Sequence, residues 1–171
     1  MTSLYSQTIP VFIKYLRNMS AMLEKSQKFA EEKGMSPEEL LGFRLIDNMR
    51  PIPYQVQSCS NTSKWLAVRV AGMENVVLED NETTFEQLQA RIERTIGILE
   101  SLKPDCMDGM EEKEVRMETA IGTFQFTGSR YVSEFAIPNF HFHLSTCYCI
   151  MRHLGVPLDA VDYLKDVFVK V

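Results

Sequence analysis

Apolar side chains return every three or four positions along four stretches of the chain, each return marking one face of an amphipathic helix. In the first stretch, from Leu4 or Ile9 to about Glu32, Phe12, Leu16, Met19, Leu23, Ser26 and Ala30 alternate steps of four and three, the seam of a helix packed in a bundle. The second runs from near Pro53 to Gly72 with Ile52, Val56, Cys59, Ser63, Leu66 and Val70 as its seam. The third opens at Thr83, with Glu86 placed to close a capping box, and carries Phe85, Leu88, Ile92, Ile96, Leu99 and Leu102 to Pro104. Its charged positions Glu86, Arg91, Glu93, Arg94 and Glu100 read as solvated surface.

The fourth stretch, Thr127 to Gly155, holds all three histidines. Thr127 suits an N-cap, and Gly155 followed by Pro157 suits a stop. Tyr131, Phe135, Pro138, Phe142, Ser145 and Cys149 share spacings of three and four and predict a core face on a helix about 40 Å long, kinked at Pro138. A second face carries Asn139, His143, Thr146, Cys147 and Ile150.

Between these helices the signals are shorter. Ser36-Pro37-Glu38-Glu39 predicts a short capped helix, and Gly72 to Glu82 is an acidic connection. From Val115 the period drops to two, with Met117, Phe124 and Phe126 alternating about Gly122, which predicts a small β-hairpin. The tail after Gly155 reads as a short ordered return anchored by Leu158, Val161 and Tyr163. The expectation is a single all-α domain over residues 1–171, a four-helix bundle with a hairpin before the last long helix.

Composition narrows function more by exclusion than by pointing. A net charge of −5 and a pI near 5.3 offer no basic patch to neutralise phosphates, so no nucleic-acid partner is expected. No stretch approaches the roughly 20 apolar residues that cross a bilayer, and the N-terminus lacks signal-peptide features, so a cytoplasmic protein with no membrane partner is expected. The four cysteines form no CxxC pair, and small buried side chains are their expected role. Nucleotide-binding glycine loops, the GxSxG elbow and HExxH are all missing from the sequence.

The chemistry that remains lies on the fourth helix. His141 and His143 sit about 200° apart around a regular helix, so at most one enters a given site, and His143 has the better neighbours. A pocket between the second and fourth helices is expected to hold a small, largely apolar ligand. His143 and Tyr148 are the candidate catalytic residues, and Gln57, Ser60, Asn139, Cys147 and Arg152 the candidate ligand-binding ones.

YSQTIPVFIKYLRNMSAML, PIPYQVQSCSNTSKWLAVRVA, ETTFEQLQARIERTIGILESL, FTGSRYV and PNFHFHLSTCYCIMRHLGVPLDAVDYL, in this order, resemble the family of uncharacterised domains numbered nineteen ninety-three in the DUF series. The resemblance covers essentially the whole chain. It implies the DinB-like superfamily: four-helix bundles with an up-down-down-up arrangement that commonly dimerise, so a homodimer is expected. Better-known members of that superfamily bind a divalent metal through one histidine of the second helix and a His-xxx-His pair of the fourth. Here the corresponding pair is His143 and Cys147, and Gln57 or Ser60 stands nearest the third position. This set lacks the imidazoles of such a site, so no metal or cofactor is expected. The reading is a small-molecule-binding protein, a metal-independent enzyme of isomerase, cyclase or dehydratase type. Its alternatives are a non-catalytic homodimeric bundle and a metal-dependent transferase.

Overall fold

A computed structural model describes residues 3–168. In chain order these form α1 (Leu4–Lys33), the short α2 (Pro37–Gly42), α3 (Ile52–Arg69), α4 (Phe85–Glu100), a hairpin of β1 (Glu114–Thr119) and β2 (Gly122–Thr127), a single turn α5 (Gly128–Arg130), a π-helical segment (Tyr131–Ala136), α6 (Ile137–His153) and α7 (Ala160–Leu164). The four long helices make a bundle in which α3 packs on both α4 and α6, and α1 packs chiefly on α4.

The first two seams are core along their whole length: Phe12, Leu16, Met19, Leu23, Ser26 and Ala30 of α1, and Ile52, Val56, Cys59, Ser63, Leu66 and Val70 after them, are all buried. Phe12 stacks on Phe140 of α6 with ring centroids 4.3 Å apart, tying the first helix to the last long one. The cap of α4 lies one residue later than the pattern suggested. Thr84 accepts from the Gln87 backbone, and the Gln87 side chain answers to the backbone of Thr84 and Thr83.

The last long helix departs from a regular spiral. The backbone N–H of Ile137 donates five residues back, to the Val132 carbonyl, and Pro138 follows with no N–H to give. The irregularity expected at the proline is therefore a π turn immediately before it. One extra residue is accommodated there, and everything after it is rotated by about 100° relative to a continuous α-helix. This overturns the predicted core face: Phe142 is 62% exposed, and Pro138, Ser145 and Cys149 are exposed too. The face that continues from Val132 and Ala136 runs instead through Phe140, Leu144, Cys147 and Met151, all buried. Helix α6 closes at Gly155, whose φ of 93° suits a residue without Cβ.

The hairpin pairs Val115 with Phe126 and Met117 with Phe124, and turns Val115 and Met117 inward. It leads into Gly128, where a Cβ would stand 2.1 Å from the Met110 carbonyl oxygen, so only glycine fits. At the C-terminal side, α7 is capped by a box between Asp159 and Asp162. It is held on α1 by the Lys25–Asp162 ion pair and by Asn18, which donates to the Tyr163 carbonyl at 2.9 Å. Leu158 and Tyr163 anchor this return as expected, whereas Val161 is 61% exposed because the cap turns it outward.

A further correction concerns the connection between α3 and α4. The helical period places Arg91 on the solvated face, but its side chain is 2% exposed because the acidic segment folds back over it. Its guanidinium meets Asp80 at 2.7 Å, Glu82 at 2.8 Å, the Glu79 carbonyl at 2.8 Å and Asn61 at 3.0 Å. Periodicity along α4 cannot reveal a cover supplied by a segment without periodicity. No helix among the described residues is long and apolar enough to cross a membrane.

Candidate functional site

Helix α3 carries a second stripe besides its apolar seam. Tyr54, Ser58, Asn61, Thr62, Trp65 and Arg69 recur at three- and four-residue steps and line one wall of a cleft of about 420 Å³. Gln57 and Asp80 join that wall, Asn139 and His143 of α6 form the opposite one, and Phe135 with the hairpin tip, Met117 to Thr119, closes the end. Asn139 and His143 are four residues apart, so the helix itself sets both on one face. A separate groove of about 460 Å³ between the acidic strap and α4 includes Val77, Glu82, Arg91 and Arg94 but no histidine.

His143 is held in one tautomer by its partners. The Gln55 amide nitrogen donates to the Arg50 carbonyl at 2.8 Å, and a carbonyl can only accept, so Oε1 of Gln55 must face the imidazole. The contact from His143 Nδ1 to that oxygen, 2.8 Å, therefore carries the proton on Nδ1 and leaves the Nε2 lone pair uncommitted. Half-burial pushes the His143 pKa below its ordinary 6.5, which keeps the ring neutral at pH 7. Tyr54 meets the ring edge-to-face at 5.8 Å.

Asn139 is oriented by the same logic. Thr62 donates to the Ser58 carbonyl at 2.8 Å, so its oxygen accepts from Asn139 Nδ2, also at 2.8 Å, and Oδ1 of Asn139 keeps no protein partner among the described residues. Gln57 donates to Glu82 at 2.9 Å. Burial raises the Glu82 carboxyl, yet the hydrogen bonds from Arg91 and Gln57 outweigh it and hold that carboxyl below the usual range.

Of the residues singled out from sequence, His143, Asn139 and Gln57 thus share the cleft. Ser60 is buried between helices, bonded to Thr95 at 2.6 Å, and Cys147 is fully buried with its thiol pushed up to about 12. Tyr148 packs on Tyr163 at 6.0 Å, and the exposed Arg152 donates to the Val156 carbonyl at 2.9 Å, closing the end of α6. These four lie outside the cleft lining: Tyr148 and Arg152 stand about 140° and 180° from His143 around α6, Cys147 is buried in the core, and Ser60 sits on the α4 side of α3. The α3 stripe carries no clear sequence signal because its members are chemically mixed, although their spacing is regular.

The chain matches the family model of the Domain of unknown function (DUF1993) over residues 4–164. It belongs to that family. A crystal structure of a DinB family member protein from Shewanella denitrificans superimposes with a TM-score of 0.92 at 32% identity, covering 98% of this chain and 95% of that one. No curated protein matches. The DinB relationship raises the metal site that such bundles can carry, and the donor set here does not fit one. Cys147 is a buried thiol held far from its thiolate, and His143 shares its cleft mainly with amides and hydroxyls. Among the described residues no three His, Cys, Asp or Glu side chains converge as metal ligands would.

Proposed function

We propose that this DUF1993 protein binds a small molecule in the α3–α6 cleft and acts on it by proton transfer, with His143 Nε2 as the base. The observation that carries this reading is the chain from Arg50 through Gln55 to His143, which presents a neutral imidazole with its lone pair uncommitted in a half-enclosed cleft whose lining is evenly polar and apolar. Asn139 Oδ1 supplies an acceptor on the same helical face, and Ser58 offers a hydroxyl opposite. A single base with polar positioning groups suits isomerisation, cyclisation or dehydration of a substrate whose acidic C–H is already activated.

The test needs no prior substrate. A small-molecule cell extract is incubated in EDTA with the wild-type protein or with His143→Gln, and compounds are followed by mass spectrometry. A compound transformed by the wild type and untouched by a folded His143→Gln variant is the expected result. Equal transformation by both proteins, or by neither, removes His143 from any proton-transfer role.

A further inference from the structure

Three cations among the described residues are not solvent-exposed: Lys64, Arg69 and Arg91. Arg91 has two carboxylates within 4 Å, whereas neither Lys64 nor Arg69 has one. Both rest on Trp65 instead, the Lys64 ammonium 4.1 Å and the Arg69 guanidinium 4.5 Å from the indole centroid. Arg69 spends one bond on the Tyr131 hydroxyl at 3.0 Å, which leaves most of its five N–H donors uncommitted. Burial and the neighbouring Arg91 charge push the Lys64 ammonium below its ordinary range, an environment that an anion would relieve.

We propose that the Trp65 end of the cleft is a carboxylate subsite, in which Arg69 receives the acid group of a ligand whose apolar body lies along the cleft towards Asn139 and His143, and the Lys64 charge, seated on the same indole, adds attraction from behind the lining. This rests on the cleft's being a ligand site. The guanidinium fork matches the two oxygens of a carboxylate, and Trp65 and Phe135 give flat surfaces to the ligand body. Glu118, on the facing hairpin tip, has no ion pair among the described residues, and Asp80 is committed to Arg91, so a dianion such as phosphate meets about twice the repulsion of a monoanion. Helix α3 rises about 21 Å from Gln55 to Arg69, so a ligand reaching from the subsite to His143 is elongated.

Trp65 is the chain's single tryptophan, and its emission reports directly on the site. The probes are 3-phenylpropanoate, its neutral amide 3-phenylpropanamide, and phenyl phosphate, titrated at low ionic strength up to about 10 mM, above the millimolar affinities of small fragments. The expected result is a saturable change with the carboxylate, with about tenfold weaker binding of the amide, and about tenfold loss in Arg69→Gln. Lys64→Gln leaves the Tyr131 bond intact and is expected to weaken the carboxylate severalfold with an unchanged folded baseline.

Equal binding of acid and amide, or carboxylate binding unaltered in both variants, overturns the subsite. If the amide then binds in competition with the acid and is lost in Asn139→Ala, the cleft reading survives. Tighter binding of phenyl phosphate than of the carboxylate overturns the assignment of the acid group. If no probe moves the emission, the subsite and the cleft reading both fall.

Discussion

His143 owes its state to groups that have no role in chemistry of their own. The Arg50 carbonyl fixes Gln55, Gln55 fixes the imidazole proton on Nδ1, and half-burial lowers the pKa of the ring. Nitrogen-15 NMR is therefore expected to show a pyrrole-type Nδ1 and a pyridine-type Nε2 at pH 7, and Gln55→Leu should return the ring to the mixed tautomers of a free histidine. Detecting the Nε2–H form as the major one in the wild type would break the chain of reasoning. His141 is lowered by burial as well, on the other side of the helix, where Nδ1 meets the Tyr163 hydroxyl at 3.0 Å. A lowered folded pKa means that the unfolded chain binds more protons between that value and the ordinary 6.5, so stability rises with pH across this window. Both contributions are complete above 6.5 and are lost as the pH falls from 6.5 through the folded values. Denaturant midpoints measured between pH 7.5 and pH 5 should fall accordingly, and His141→Gln should flatten part of that slope.

At the level of single elements, the sequence was legible wherever the backbone stayed regular. Every seam position named for α1 and α3 is buried, and the hairpin turns Val115 and Met117 inward as their alternation implied. The exception is the last long helix, where a single period with a kink at Pro138 takes no account of the π segment just before it. A π turn consumes one residue without advancing the spiral as an α turn does, so Phe142 and Cys149 moved out while Phe140, Leu144 and Cys147 moved in. Proline signals a disturbance, but sequence alone does not say whether it is a bend or a shift of register. The extra residue makes a sharp prediction. Deleting the exposed Ser133 should convert the π segment to α-helix, with Tyr131 and Ala136 brought to a spacing of four and the core register beyond them retained. Deleting the equally exposed Cys149 instead rotates Ile150 and Met151 out of the core by about 100°. Thermal unfolding should show the first deletion tolerated within about 1–2 kcal/mol and the second lost to folding, given about 2–5 kcal/mol for each large apolar side chain removed from a core. Equal damage from the two deletions would mean that the π turn is not a spare residue.

Across the whole molecule, the bundle core and the cleft are joined through the strap that Arg91 holds. Asp80 lies in the cleft wall and Glu82 receives Gln57, so the one buried guanidinium fixes both the α3–α4 connection and part of the site. Arg91→Met keeps the aliphatic stem but leaves two carboxylates without their cation. Removing one partner of a buried pair costs about 3–5 kcal/mol, and because Asp80 is half exposed and can turn to water, about 2–3 kcal/mol is expected here, or roughly 5–10 °C in Tm. The deficit carries its own pH signature. Glu82 has its folded pKa below the ordinary 4.5, so the stability it contributes is present above that value and is lost as the pH falls through the folded one. Wild type and Arg91→Met should thus differ most near neutral pH and converge as the pH falls from 4.5 through the folded pKa of Glu82, where protonation removes the charge that Arg91 had compensated. A gap of constant size from pH 7 to pH 3 would show that Arg91 acts by packing alone. In that case the strap, and Asp80 with it, would be held in the cleft wall by shape and not by charge.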